Sequence, residues 1–166
     1  ELGEDVVAIL AEDPAPTAFL TALLQGEYFA DAVRYLAHAF ANREGVAWAC
    51  RCARRVAIDP LSDDDEAALR AAEAWVQAPD QDGSDAAGKA AEAAGLEGMA
   101  SLAALAARWS GDSMTAPDLP AVPPAADFTA RAVAGSVLLA ATGGEPDDMD
   151  NRYKTCLALG IELAKG

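Results

Sequence analysis

A chain of 166 residues with 12 Lys+Arg, 27 Asp+Glu and one His has a formal charge of -15, and it is long enough for one domain with a sizeable core. The acidic balance argues against nucleic acid, whose phosphates need a basic footprint, and against an anionic membrane surface. Hydrophobic residues make up 52% and aromatics only 6%, because about a quarter of the chain is Ala. With Gly and Pro mostly outside the apolar-periodic stretches, this predicts an all-α fold.

Breakers divide the chain into seven or eight helical pieces, expected to form a single helical domain over residues 1–166. A first segment, Gly3 to Ala11, stops at Asp13-Pro14 and Pro16. Thr17 opens a helix through Gln25, and Gly26 precedes another from Glu27 to Phe40, with Tyr28, Phe29, Ala32, Val33, Leu36 and Phe40 on one face. Arg43 to Ile58 is amphipathic and stops at Asp59-Pro60. Ser62 followed by Asp63, Asp64, Asp65 and Glu66 is a strong helix start, because the hydroxyl can accept from the Asp65 N–H and the acids complement the dipole. That helix runs through Leu69, Ala72, Trp75 and Val76 to Pro79. Asp80 to Asp85 reads as a polar loop. The Ala-rich piece from Asp85 to Ala94 has no large anchor and is expected to be peripheral. Leu96 to Trp109 is expected to be anchored by Met99, Leu102, Leu105 and Trp109.

Residues 110–126 carry Pro117, Pro120, Pro123 and Pro124 and predict an extended, ordered connector lying across the helices, with Trp109 and Leu119 packed. Ala130 to Thr142 is apolar almost all round, which predicts the central helix, buried on all sides. Gly143-Gly144 closes it. The final helix, about Asp147 to Ala164, puts Met149, Tyr153, Cys156, Leu157, Gly160, Ile161 and Ala164 on one stripe. The longest small-apolar run, Ala132 to Ala141, falls far short of the ~20 residues that cross a bilayer. The acidic start Glu1 to Asp5 does not read as a secretory signal. Because the sequence does not begin with Met, both an excised domain and a lost leader stay open. Three cysteines, Cys50, Cys52 and Cys156, are an odd and sparse set for a secreted scaffold, so a cytoplasmic location is expected.

The chemistry of the chain concentrates on one helix. Arg43, Arg51, Arg54 and Arg55 share an arc of ~120° at ~100° per residue, Trp48 is expected at its border, and Val46, Ala49, Cys50, Cys52, Ala53 and Val56 face the other way. One reading pairs these arginines internally with Asp59, Asp63, Asp64, Asp65 or other acids. The other makes Arg43, Trp48, Arg51, Arg54 and Arg55 a partner-binding face, since guanidinium forks suit carboxylates and Arg with Trp suits an interface. Leu119 and Val122, spaced between prolines, would extend it as a docking ridge.

Catalytic and metal signals are thin. His38 stands alone on the polar side of its helix, beside Arg34 and Asp31, and reads as a surface His. Cys50 and Cys52 point ~200° apart and cannot meet one metal from one helix, so both read as small buried hydrophobes. Asp80 to Asp85 imitates the start of a calcium loop, but Ala91 occupies the position of the bidentate Glu. No catalytic residue, cofactor or metal is assigned.

Ala32-Val33-Arg34-Tyr35-Leu36-Ala37-His38-Ala39 and Arg43-Glu44-Gly45-Val46-Ala47-Trp48-Ala49-Cys50 resemble the opening of an uncharacterised bacterial helical family. Ala72-Glu73-Ala74-Trp75-Val76, Trp109-Ser110-Gly111, Pro120-Ala121-Val122-Pro123-Pro124 and Thr129-Ala130-Arg131-Ala132-Val133-Ala134-Gly135 continue the resemblance. It implies a domain of unassigned activity, sometimes encoded near type VI secretion components, and it transfers no functional residue. The expectation is a non-enzymatic protein-protein interaction module, an adaptor or chaperone-like accessory. The alternative is a small-molecule anion binder or enzyme using Arg43, Arg51 and Arg54. An acidic decoy of nucleic acid, suggested by the charge alone, is a third idea.

Overall fold

A computed structural model describes residues 4–11, 15–57, 59–115 and 119–165; the breaker Asp13-Pro14, the helix end at Ile58 and Pro117 lie outside them. The described residues form nine α-helices and no strand: α1 (Glu4–Ala11), α2 (Pro16–Gln25), α3 (Phe29–Ala39), α4 (Asn42–Val56), α5 (Asp63–Gln77), α6 (Gln81–Ala93), α7 (Met99–Arg108), α8 (Phe128–Thr142) and α9 (Met149–Ala164), with a 3-10 turn at Pro146–Asp148 before the last. No helix among them is long and apolar enough to cross a membrane.

The predicted central helix is central. α8 packs against α3, α4, α7 and α9 and buries Ala132, Val133, Ala134, Ser136, Val137, Ala140 and Ala141. It is not buried on all sides, however. Leu139 is 41% exposed, Leu138 is half-buried, and the Arg131 side chain stands in solvent beside Asp127 at 2.6 Å. Apolar character all round therefore overstates burial, because four neighbouring helices do not close the whole circumference.

α7 departs further from expectation. Its core residues are Ala100, Ser101, Ala103, Ala104, Ala106 and Ala107, whereas Met99, Leu102, Leu105 and Trp109 are half-buried flanks. The helix is hemmed in by α4, α5, α6 and α8, and a face packed on four neighbours is filled here by methyl groups, which leave room for close-packed helices. Ser136 Oγ ties α8 to the start of α7 by donating to the Met99 carbonyl at 2.7 Å.

The same logic corrects the reading of residues 80–94. α6 begins at Gln81, because the Asp80 carboxylate accepts from the Gly83 N–H at 2.7 Å and caps the helix. It packs on α5 and α7 with Ser84, Ala87, Gly88 and Ala91 buried, so it is part of the core and not peripheral. The cap predicted at Ser62 is present, its Oγ accepting from the Asp65 N–H at 3.1 Å.

Candidate functional site

α4 explains the charge asymmetry of its own sequence. Its inner face, including Gly45, Val46, Ala49, Cys50, Cys52, Ala53 and Val56, is buried, and its four arginines project outward. Trp48 does not stand at the border. It is 0% exposed, donates from Nε1 to the Cys156 carbonyl at 2.8 Å, and meets the Phe40 ring edge-on at 5.5 Å. A buried indole needs a partner for its N–H, and α9 supplies it. Trp48 is thus a core residue that offers no surface to a partner.

The four arginines divide two and two. Arg54 forms a fork on Glu73, with Nε and Nη2 each 2.9 Å from a carboxylate oxygen, and a further hydrogen bond from Nη1 to Glu66. Glu66 also accepts from Arg70 at 2.8 Å. These contacts hold the Arg54 pKa above its usual value, and the hydrogen bonds from Arg54 and then Arg70 hold the Glu66 carboxyl below its own. Arg43 donates from Nε to the Val76 carbonyl at 2.7 Å, near the end of α5. Internal pairing therefore accounts for half of the set, through two glutamates of α5 and a backbone carbonyl rather than the aspartates near the α4–α5 turn. Arg51 and Arg55 are exposed, and among the described residues neither enters an ion pair.

Between α4, α5 and α9 lies an open groove of about 440 Å³, lined by Ala47, Cys50, Arg51, Arg54, Arg55, Glu73, Val76, Gln77 and Leu159. Its floor is apolar and its rim carries the two unpaired guanidiniums. Burial pushes the Cys50 thiol at the floor up to about 12, which disfavours its thiolate, the nucleophilic form. Cys52 is raised as well, by burial first. All three cysteines are free and buried.

The described part of the connector folds back on itself instead of running extended across the helices. The Met114 N–H donates to the Val122 carbonyl at 2.8 Å, closing the segment on itself. The Ser113 hydroxyl oxygen accepts from Val122 N–H, and the Thr115 hydroxyl donates to the Pro120 carbonyl at 2.8 Å. Gln81 pins the base, accepting from Asp112 N–H at 2.8 Å and donating to the Ser113 carbonyl at 3.1 Å, and Arg108 adds a bond to that carbonyl. Trp109 packs on Phe128 with centroids 5.2 Å apart, as expected, but Leu119 is 56% exposed and not packed, and Val122 is 46% exposed.

Among the described residues no three His, Cys, Asp or Glu side chains gather as metal ligands. His38 is exposed, with Arg34 paired to Asp31 at 3.0 Å beside it. Asp85, in the calcium-like segment, pairs with Arg108 at 2.9 Å. Sequence reasoning missed two residues. Glu73, seven positions after Glu66 on α5, was legible as the second acid of one helix face. Arg152 was hidden within the apolar stripe of α9, where it is buried and donates from Nη2 to the Ala140 carbonyl at 2.7 Å.

The model of a family described as a family of unknown function (DUF6931) matches residues 19–164. No curated protein matches the chain, and no solved structure does.

Proposed function

The chain belongs to that family of unknown function, and for it we propose a non-enzymatic role as a protein-protein interaction module that docks a partner along the α4 face. One observation carries the reading. In a chain of net charge -15, Arg51 and Arg55 are left exposed and unpaired on the rim of an apolar-floored groove, while Arg54 is held rigid by two glutamates. That combination suits an acidic segment with an apolar residue, since guanidiniums fork onto carboxylates and an apolar floor anchors the centre of the contact. Leu119 and Val122, with Met114 at 36% exposure, are exposed apolar side chains on the connector beside α6 and α7 and are proposed as a separate docking point. Three buried, unpaired thiols support a reducing compartment, and hence the cytoplasm. The finer form, a bacterial adaptor or chaperone-like accessory of type VI secretion, rests on the sequence resemblance.

The anion-binder or enzyme reading has less support, because Arg43 and Arg54 are already engaged and leave Arg51 alone of that trio. Affinity capture decides between them. The folded chain is expected to recover a stoichiometric protein that Arg51→Glu loses; loss with Leu119→Asp instead moves the contact to the connector. Recovery of no such protein, together with thermal stabilisation by a nucleotide or metabolite anion that Arg51→Glu abolishes, would overturn the proposal.

A further inference from the structure

Among the described residues Arg152 is the one charged side chain that is more than nine-tenths buried, at 8% exposure. Its bond to the Ala140 carbonyl serves the last turn of α8, whose carbonyls have no helical donor, and places the cation at the negative end of the α8 dipole. The rest of the guanidinium is poorly held. Nε has no hydrogen-bond partner, and no ion pair among the described residues includes Arg152. A desolvated cation normally recruits a carboxylate, and this chain has 27 acids to draw on.

A second unpaired cation opens on the same place. Arg152 lines a polar pocket of about 270 Å³ together with Arg55, Val56, Asp148, Asn151 and Thr155. Asp148, Asn151, Arg152 and Thr155 fall at helical spacing on one face at the start of α9, and Arg55 reaches in from the last turn of α4. Asp148, the one acid on the wall, accepts from Asn151 Nδ2 at 3.1 Å and pairs with neither arginine. No side chain caps α9. Two guanidiniums thus share one small pocket with a single acid on its wall, and Arg152 also borders a larger cavity of about 530 Å³ with Asp59, Asp65, Glu97 and Glu145, none of which forms an ion pair with it.

We propose that this pocket is an oxyanion site, in which a phosphate or carboxylate group held between Arg55 and Arg152 is the missing counter-ion. Guanidinium forks match paired oxygens of either group. The volume lies below the roughly 300–1,000 Å³ of sites for drug-sized ligands, so the group that enters is small. The site rests on Arg152 and not on the protein-docking reading. Arg55 borders both features, whereas Arg51 lines only the groove.

The test titrates the folded chain with inorganic phosphate at constant ionic strength, following the thermal midpoint and the arginine Nε–H signals by NMR. A saturable rise in midpoint is expected, with the Arg55 and Arg152 signals moving at one apparent Kd. Arg55→Gln, a change at an exposed side chain, should weaken that Kd by about tenfold or more, and Arg51→Gln should leave it unchanged. A parallel titration with acetate separates the two groups: saturation by acetate alone assigns the site to carboxylates. Absence of saturation with both ions overturns the proposal. So does an Arg55→Gln variant that binds like wild type, or an Arg51→Gln variant weakened equally, which would reduce the effect to general surface charge.

Discussion

Replacing Gly160 by Ala tests the seam between α9 and α4. In an unhindered helix this change gains about 1 kcal/mol from backbone entropy. Here a Cβ at Gly160 would lie 2.9 Å from both Cε2 and Nε1 of Trp48 and 3.2 Å from Cζ2. The indole has nowhere to go. It is fully buried, its Nε1 is tied to the Cys156 carbonyl at 2.8 Å, and the Phe40 ring abuts it. Overpacking of this kind costs about 1–3 kcal/mol, which by itself offsets or outweighs the helix gain. If the indole shifts enough to release its N–H, an unsatisfied buried donor adds about 1–3 kcal/mol more. The expected net effect is destabilisation by up to about 2 kcal/mol with the indole bond kept, and by about 1–5 kcal/mol with it lost. Urea unfolding followed by tryptophan fluorescence reads it as a lower midpoint at unchanged slope. Gly135→Ala on α8 is the control, because its Cβ meets only the tip of Leu102, at 3.0 Å; a flexible side-chain end can yield, so neutrality to a gain of about 1 kcal/mol is expected. A Gly160→Ala midpoint at or above that of Gly135→Ala would refute the argument that a rigid indole sets this seam.

Leu157, at 1% exposure, and Leu139, at 41%, should separate by chemical denaturation: about 2–5 kcal/mol lost for Leu157→Ala and less than about 1 for Leu139→Ala, with equal losses counting against the placement of α8 and α9. Glu66 is held below its ordinary range by Arg54 and then Arg70, so its folded pKa lies below its unfolded one. Its pairing stabilises above about pH 4.3 and is lost as pH falls through the lowered folded value. Arg54→Met should therefore flatten the fall in stability between about pH 5 and 3, and a slope equal to wild type would show that the clamp is absent in solution. Burial raises Cys50 and Cys52, and Cys156, held lower by its hydrogen bond with Cys52, is 0% exposed, so a thiol reagent near pH 8 should reach none of the three quickly in the native chain and take up three equivalents only in denaturant. Rapid labelling of the native chain would contradict the burial of the α4 inner face.

Local signals carried much of this fold. The Ser62 cap, the Gly143-Gly144 stop and the apolar run of residues 130–142 each act within a few residues of themselves, and the structure places a helix boundary or the central helix where they point. The four outward arginines of α4 followed from angular spacing alone, as did the burial of Cys50 and Cys52. Helical period determines which residues share a face, whatever that face meets.

What a face meets belongs to the tertiary structure. Whether Trp48 at the edge of an apolar arc is covered depended on α9 bringing the Cys156 carbonyl, 108 positions away, against its indole N–H. Which side of α7 is core was decided by the closeness of its neighbours, which admits Ala103 and Ala107 and turns Leu102 and Leu105 to the flank, against the hydrophobicity ranking that sequence alone supplies. Leu119 stands exposed on a connector that Gln81 and Arg108, distant in sequence or on another element, hold at Ser113, a placement its own proline spacing does not encode. The split of the arginines, two held and two open, turned on where Glu66 and Glu73 of α5 came to rest. Composition and period are properties of single segments, but burial and charge pairing are properties of two segments meeting, and only the packed chain brings them together.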